Sequence, residues 1–201
     1  MSRGLAIDPA LQLTLRAALS LLFVWAASHK LADRAGFRST LAEYELLRAR
    51  WLEAVAVLLM SAEVGVATAL WFPTVAAIGA LAAGGLLVLY AGAIAINLRR
   101  GRRHIDCGCT GAAGRQPLSG WLVARNGLLV CTALAAALPA GGRALTWVDD
   151  LTVVAGVAAL ALLYAAADGL LAAAPTTAAL ARKWLADVPA EPHPHGHVDH
   201  A

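Results

Sequence analysis

Five stretches of the chain are apolar almost without interruption and are bounded by charge, proline or glycine: about Leu11–Ser28, Trp51–Trp71, Thr74–Leu98, Leu118–Leu138 and Leu151–Ala174. A bilayer core of about 30 Å needs roughly 20 apolar residues in helical form, so each stretch predicts a membrane-spanning α-helix. Pro73, Pro117, Pro139 and Pro175 sit beside the predicted span ends, where a missing backbone donor is tolerated. Arg3 and the small residues Ala26-Ala27-Ser28 also suit a signal peptide, but Asp8 and the unbroken run into Lys30 favour a retained span. Between the first two spans the pattern changes. Phe37, Leu41, Tyr44 and Leu47 recur at helical spacing within Ala32–Arg50, which predicts an amphipathic helix lying along the membrane surface.

Small residues at four-residue spacing, Ala76, Ala80 and Gly84 in the third span and Ala165, Gly169 and Ala173 in the fifth, predict close helix approach. After Pro175 a short helix is expected near Ala178–Ala186, followed by a polar, Pro- and His-rich end from Pro189 that lacks the apolar content to fold. The expected organisation is a transmembrane helical domain over residues 1–175 and a tail over 176–201. The fold class is therefore all-α, a polytopic membrane helical bundle of about five transmembrane helices.

Composition narrows the function classes. At 60% hydrophobic and 14% charged residues, the chain is far more apolar than a soluble domain, for which about 45–50% and 25% are usual. The net charge of +3 does not indicate nucleic acid, because no aromatic platforms accompany the basic clusters. Twelve Lys and Arg residues fall in the first loop, the third loop and the tail, against Arg3 and Arg143 on the opposite side. By the positive-inside rule this places those loops and the C-terminus in the cytoplasm and the N-terminus outside, in a cytoplasmic membrane.

The third loop holds the most distinctive chemistry: Arg99-Arg100-Gly101-Arg102-Arg103-His104-Ile105-Asp106-Cys107-Gly108-Cys109-Thr110-Gly111. Two thiols one residue apart can close a small, strained and easily reduced disulfide ring, and the neighbouring arginines favour the reactive thiolate. A metal site that includes His104 and a turn with two inert small residues are the other readings of the pair. His195 and His197 in the His-rich tail are further metal-ligand candidates. Cys131 reads as a small buried residue about 20 Å of helix rise from the Cys107 side.

Ionisable side chains inside spans are costly and so are functional candidates. Arg125 and Asp168 lie about 10 Å and 9 Å in from the third-loop side, close enough in depth to pair. Lys30, His29, Glu53 and Asn97 lie near that same surface, whereas Glu63 is placed about 18 Å deep in the second span.

Asp106-Cys107-Gly108-Cys109-Thr110-Gly111, followed by Pro117-Leu118-Ser119 and Leu122-Val123-Ala124-Arg125-Asn126, resembles the signature of the MauE family, methylamine utilisation membrane proteins of the DoxX-like superfamily. Ser28-His29-Lys30-Leu31-Ala32-Asp33, then Phe37, Tyr44 and Glu63, is similar to the family's first half. Thr110 stands where the family's pattern usually carries Phe. The resemblance implies a DoxX-like four-helix core plus one helix, and a role in maturing methylamine dehydrogenase, especially its disulfide-rich small subunit, beside a thioredoxin-like partner. It matches Cys107 and Cys109 to the family's cysteine pair, and Arg125 and Asn126 to its Arg-Asn.

The expected function is thus thiol–disulfide exchange by Cys107 and Cys109 for an exported redox enzyme, with Lys30, Glu63, Arg125, Asn126 and Asp168 as pocket or ion-pair residues. Two other readings stand beside it: a membrane scaffold for the thioredoxin-like partner, and a small-solute or quinone site resting on Glu63, Arg125 and Asp168. The charge bias creates a tension, since small-subunit oxidation belongs outside while the bias places the cysteines inside.

Overall fold

A computed structural model describes residues 6–102, 105 and 117–187, with side chains as far as residue 170. Among these residues the regular structure is helical: α1 (Pro9–Ala32), α2 (Arg34–Glu43), α3 (Leu52–Ala69), α4 (Ala76–Arg99), α5 (Gly120–Ala137) and α6 (Trp147–Asp187). A 3-10 turn at Ala49–Trp51 leads into α3. Five of these segments are long and apolar enough to cross a membrane, each overlapping one predicted span, and the protein is a multi-pass membrane protein.

Local chemistry sets the element boundaries. Asp8 caps α1 by accepting the Ala10 N–H at 2.9 Å, and Pro9 occupies the first turn, where its missing N–H has no partner to lose. Asp33 ends α1 and caps α2 through the Gly36 N–H at 2.8 Å; a Cβ on Gly36 would lie only 2.2 Å from Asp33 Oδ2. The helical period predicted as far as Leu47 stops at Glu43, because Glu45 takes a left-handed backbone, φ 47°, and turns the chain away.

Antiparallel contacts close α1, α3, α4 and α5 into a ring. Ser20 Oγ donates to the Ala67 carbonyl at 2.9 Å and accepts from Trp71 Nε1 at 2.8 Å, tying α1 to α3. The α3–α4 hairpin is tight: a Cβ on Gly79 would come within 3.0 Å of Ala69 Cβ. At the α4–α5 contact a Cβ on Gly84 would lie 3.7 Å from Ala133 Cβ, and Ala76, Ala80, Ala83 and Ala136 are buried as well, so the small-residue expectation holds for the third span. Arg16 Nε donates to the Ala136 carbonyl at 3.1 Å and Gln12 Nε2 to that of Leu138, which brings α5 back to α1. Leu19, Phe23, Val66, Leu70 and Leu87 fill the centre.

The N-terminal part of α6 approaches α1, where a Cβ on Gly156 would lie 2.9 Å from Thr14 Cγ2. The chain divides into two compact units, residues 1–164 and 165–201. The helix runs past Pro175, where the sequence pattern predicts an end. The segment 170–174 before the proline and the segment 178–181 after Thr176 and Thr177 are alanine- and leucine-rich, and both favour helix. In the second unit Ala165 and Gly169 are exposed, and Ala173 lies beyond the residues whose side chains are described.

Candidate functional site

The ring positions two groups of polar residues toward the end of the bundle that carries α2. The first centres on Lys30, in the last turn of α1, which is 5% exposed. Its ammonium donates to Oε1 of Glu63, itself fully buried, and to the Tyr90 hydroxyl at 3.4 Å. Tyr90 in turn donates to the same Glu63 oxygen at 2.7 Å. Two aromatic faces complete the surroundings, Phe37 at 5.0 Å and Tyr90 at 4.8 Å from the ammonium to the ring centroids, within cation–π range. Side chains from α2, α3 and α4 therefore meet around one ammonium from α1.

Depth counting placed Lys30 and Glu63 apart, and the structure pairs them. Cβ atoms tilt toward the N-terminus of their own helix. Because α1 and α3 are antiparallel, Lys30 leans inward from the α2 end while Glu63 leans outward toward it, and the long lysine stem covers the remaining distance. Tyr90 escaped the sequence reading; the signal it offered was a single aromatic with a polar tip in a span of alanine, glycine and leucine.

The second group lies where α4 ends and α5 begins. Ile94, Ile105, Leu118 and Leu122 form a buried cluster, with Tyr44, Leu98 and Val123 packed against it. The Leu118 N–H donates to the Ile105 carbonyl at 3.2 Å, so the two flanks of the cysteine-bearing segment are joined at a buried stem. Gly101, with φ 76°, lets the chain leave α4 sharply, and the Arg102 N–H returns to the Asn97 carbonyl at 3.0 Å. The Arg102 guanidinium pairs with the Glu45 carboxylate, and this hydrogen bond holds the carboxyl below its ordinary range.

Arg125 and Asn126 follow on α5, both buried. The Asn126 and Asn97 amide groups donate to carbonyls one turn back, at 2.8 and 3.1 Å, while the Arg125 guanidinium lies 5.3 Å from the Tyr164 ring centroid. Thus Lys30 and Glu63 belong to one group of neighbours, and Arg125 and Asn126 to another. Asp168 lies on α6 in the second compact unit.

Cys107, Cys109, His104, His195 and His197 lie outside the described residues. Among the described residues, no group of three His, Cys, Asp or Glu side chains is placed to hold a metal ion. Cys131 is exposed on the outer face of α5, not buried as expected. Ala133 and Ala136 take the inner face, and a residue two positions before Ala133 falls about 200° around the helix.

The family model described as methylamine utilisation protein MauE matches residues 8–139 of this chain. The chain belongs to the MauE family. Curated MauE relatives support the same assignment: the methylamine utilization protein MauE of Paracoccus versutus is 40% identical over 181 residues, 86% of this chain and 95% of its own length. That of Paracoccus denitrificans is 42% identical over 135 residues, covering 67% of this chain and 72% of the relative. The Methylophilus methylotrophus protein is 34% identical over 167 residues, 80% of this chain and 86% of its own length. No solved structure matches the chain. The MauE match takes in the ring α1, α3, α4 and α5, the connecting helix α2 and the cysteine-bearing segment, and ends before α6.

Proposed function

We propose that this MauE-family chain serves methylamine utilisation by thiol–disulfide exchange during maturation of an exported redox enzyme, the small subunit of methylamine dehydrogenase or a similar substrate. In that step a substrate dithiol is oxidised to its disulfide while a Cys107–Cys109 disulfide is reduced, two electrons and two protons passing between them. A thioredoxin-like partner then reoxidises Cys107 and Cys109, its own disulfide becoming a dithiol. The observation that carries the reading is the closed stem, Ile105 bonded to Leu118, from which the Cys-Gly-Cys segment extends. Short segments whose ends are fixed on a rigid scaffold are where reactive groups are commonly presented. Arg99, Arg100 and Arg102 lie at the base of that stem and favour thiolate over thiol.

The test is growth on methylamine of a deletion strain carrying Cys107→Ser or Cys109→Ser. Loss of growth at unchanged membrane level is the expected result; full growth of the double variant removes the redox role and leaves a scaffold for the thioredoxin-like partner. The loop charges favour a cytoplasmic-membrane location with the N-terminus outside. A membrane-impermeant alkylating reagent on intact cells decides the face, since modification of Cys107 and Cys109 there, before or after reduction, reverses that orientation.

A second reading has its own observation. Glu63 Oε2 is buried without a hydrogen-bond partner, beside Lys30 and Tyr90, as a site for a small solute or a quinone between helices would provide. Loss of growth in Glu63→Gln, with membrane level and cysteine oxidation unchanged, supports this reading over exchange alone.

A further inference from the structure

We infer that Tyr44 and Glu45, where the chain leaves α2, are positioning residues that hold the stem of the cysteine-bearing segment in place. This deepens the exchange reading and rests on it for its functional meaning. Tyr44 packs on the cluster that buries Ile105 and Leu118, the two flanks of the segment. One residue on, Glu45 pairs with Arg102, three residues before Ile105. Contact is thus made with both the apolar base of the stem and the strand of chain that enters it.

The backbone at Glu45 makes the arrangement specific. It is the non-glycine residue at positive φ, 47°, among the described residues. Glycine adopts that conformation without steric penalty, whereas a glutamate there is strained and persists because its surroundings fix it. Here the surroundings are Tyr44 anchored on one side and Arg102 bonded on the other. Glycine would relieve the strain but lacks the carboxylate that reaches Arg102. The far end of α2 is fixed as well, by the Asp33 cap on Gly36 and by Phe37 over Lys30, so the helix is a brace between the buried Lys30–Glu63 pair and the stem.

The experiment uses the full chain in detergent, reduced, and follows alkylation of each cysteine by N-ethylmaleimide through peptide masses. Cys131, on α5 and away from the brace, is the internal reference. Glu45→Gln, Arg102→Glu and Tyr44→Ala are each expected to change the rate at Cys107 and Cys109 several-fold relative to Cys131. The exchanged pair, Glu45→Arg with Arg102→Glu, is expected to return it toward wild type. Glu45→Gly should behave as Glu45→Gln despite its relaxed backbone. Unchanged relative rates in all three single variants, or changes equal at Cys131, overturn the inference. Should Tyr44→Ala fail to fold, the surface pair Glu45 and Arg102 decides alone. Growth of the Cys107→Ser, Cys109→Ser strain is read separately: retained growth defeats the exchange reading, while the alkylation rates still decide whether the brace positions the stem.

Discussion

A buried lysine and glutamate fix each other's value. Lys30 and Glu63 are both buried, and a charge left alone in such surroundings is expensive, so replacing one partner is felt more than replacing both. Lys30→Met and Glu63→Leu are each expected to destabilise the purified protein. The double variant should lose less than the sum, with a coupling on the order of 0.5–3 kcal/mol by double-mutant cycle. Strict additivity would show that the contact does not hold the four helices together. Both residues were legible as candidates because ionisable groups stand out in apolar spans. Their pairing was not, because residue counting along a helix ignores the lean of each side chain toward its own N-terminus. Cys131 shows the same gap in reverse: its type suggests burial, and only the inward face of α5 decides that it points out.

At the scale of helices, small residues set how closely backbones approach. Gly79 and Gly85 lie on the same helix and differ in what surrounds them: a Cβ at 79 would meet Ala69 Cβ at 3.0 Å and backbone at 3.3 Å, whereas one at 85 would meet nothing within 4 Å. Gly79→Ala should therefore cost about 1–3 kcal/mol through overpacking. Gly85→Ala should be neutral or gain up to about 1 kcal/mol from helix propensity. Thermal unfolding in detergent separates the two, and equal melting temperatures for both variants would contradict the close α3–α4 contact. The four-residue spacing of Ala76, Ala80 and Gly84 announced such packing, and all three are buried. Spacing states that close approach is permitted; a facing helix has to make use of it.

Across the whole molecule, the end opposite α2 is closed by a clasp of ions. Arg143 bonds Asp8 at 2.8 and 3.0 Å and Asp149 at 2.8 and 2.7 Å, while Ile7 pairs with the Pro139–Gly141 turn. The hydrogen bond from Arg143 is the main cause that holds the exposed Asp8 carboxyl below its ordinary 3.8. A carboxyl lowered on folding contributes stability that is full above its unfolded value and is lost as pH falls through the folded one. Arg143→Gln is thus expected to lower the melting temperature at neutral pH, by an amount that shrinks as the solution is acidified below 3.8. A deficit that stays constant into acid would mean that Arg143 acts through packing instead. Because both partners are exposed, high salt should narrow the difference as well.

The sequence by itself determined the number and place of the spans, a helix between the first two, the family and the identity of most candidate residues. Apolar length, helical period and a cysteine spacing are properties of a linear chain, so they can be read along it. Tertiary structure decided which candidates share neighbours: Lys30 with Glu63 and Tyr90, Arg125 with Tyr164, Tyr44 and Glu45 with the stem. It also decided where α2 stops. Those outcomes depend on partners far apart in the chain, whose contacts outweigh local propensity and exist only once the ring of helices has closed.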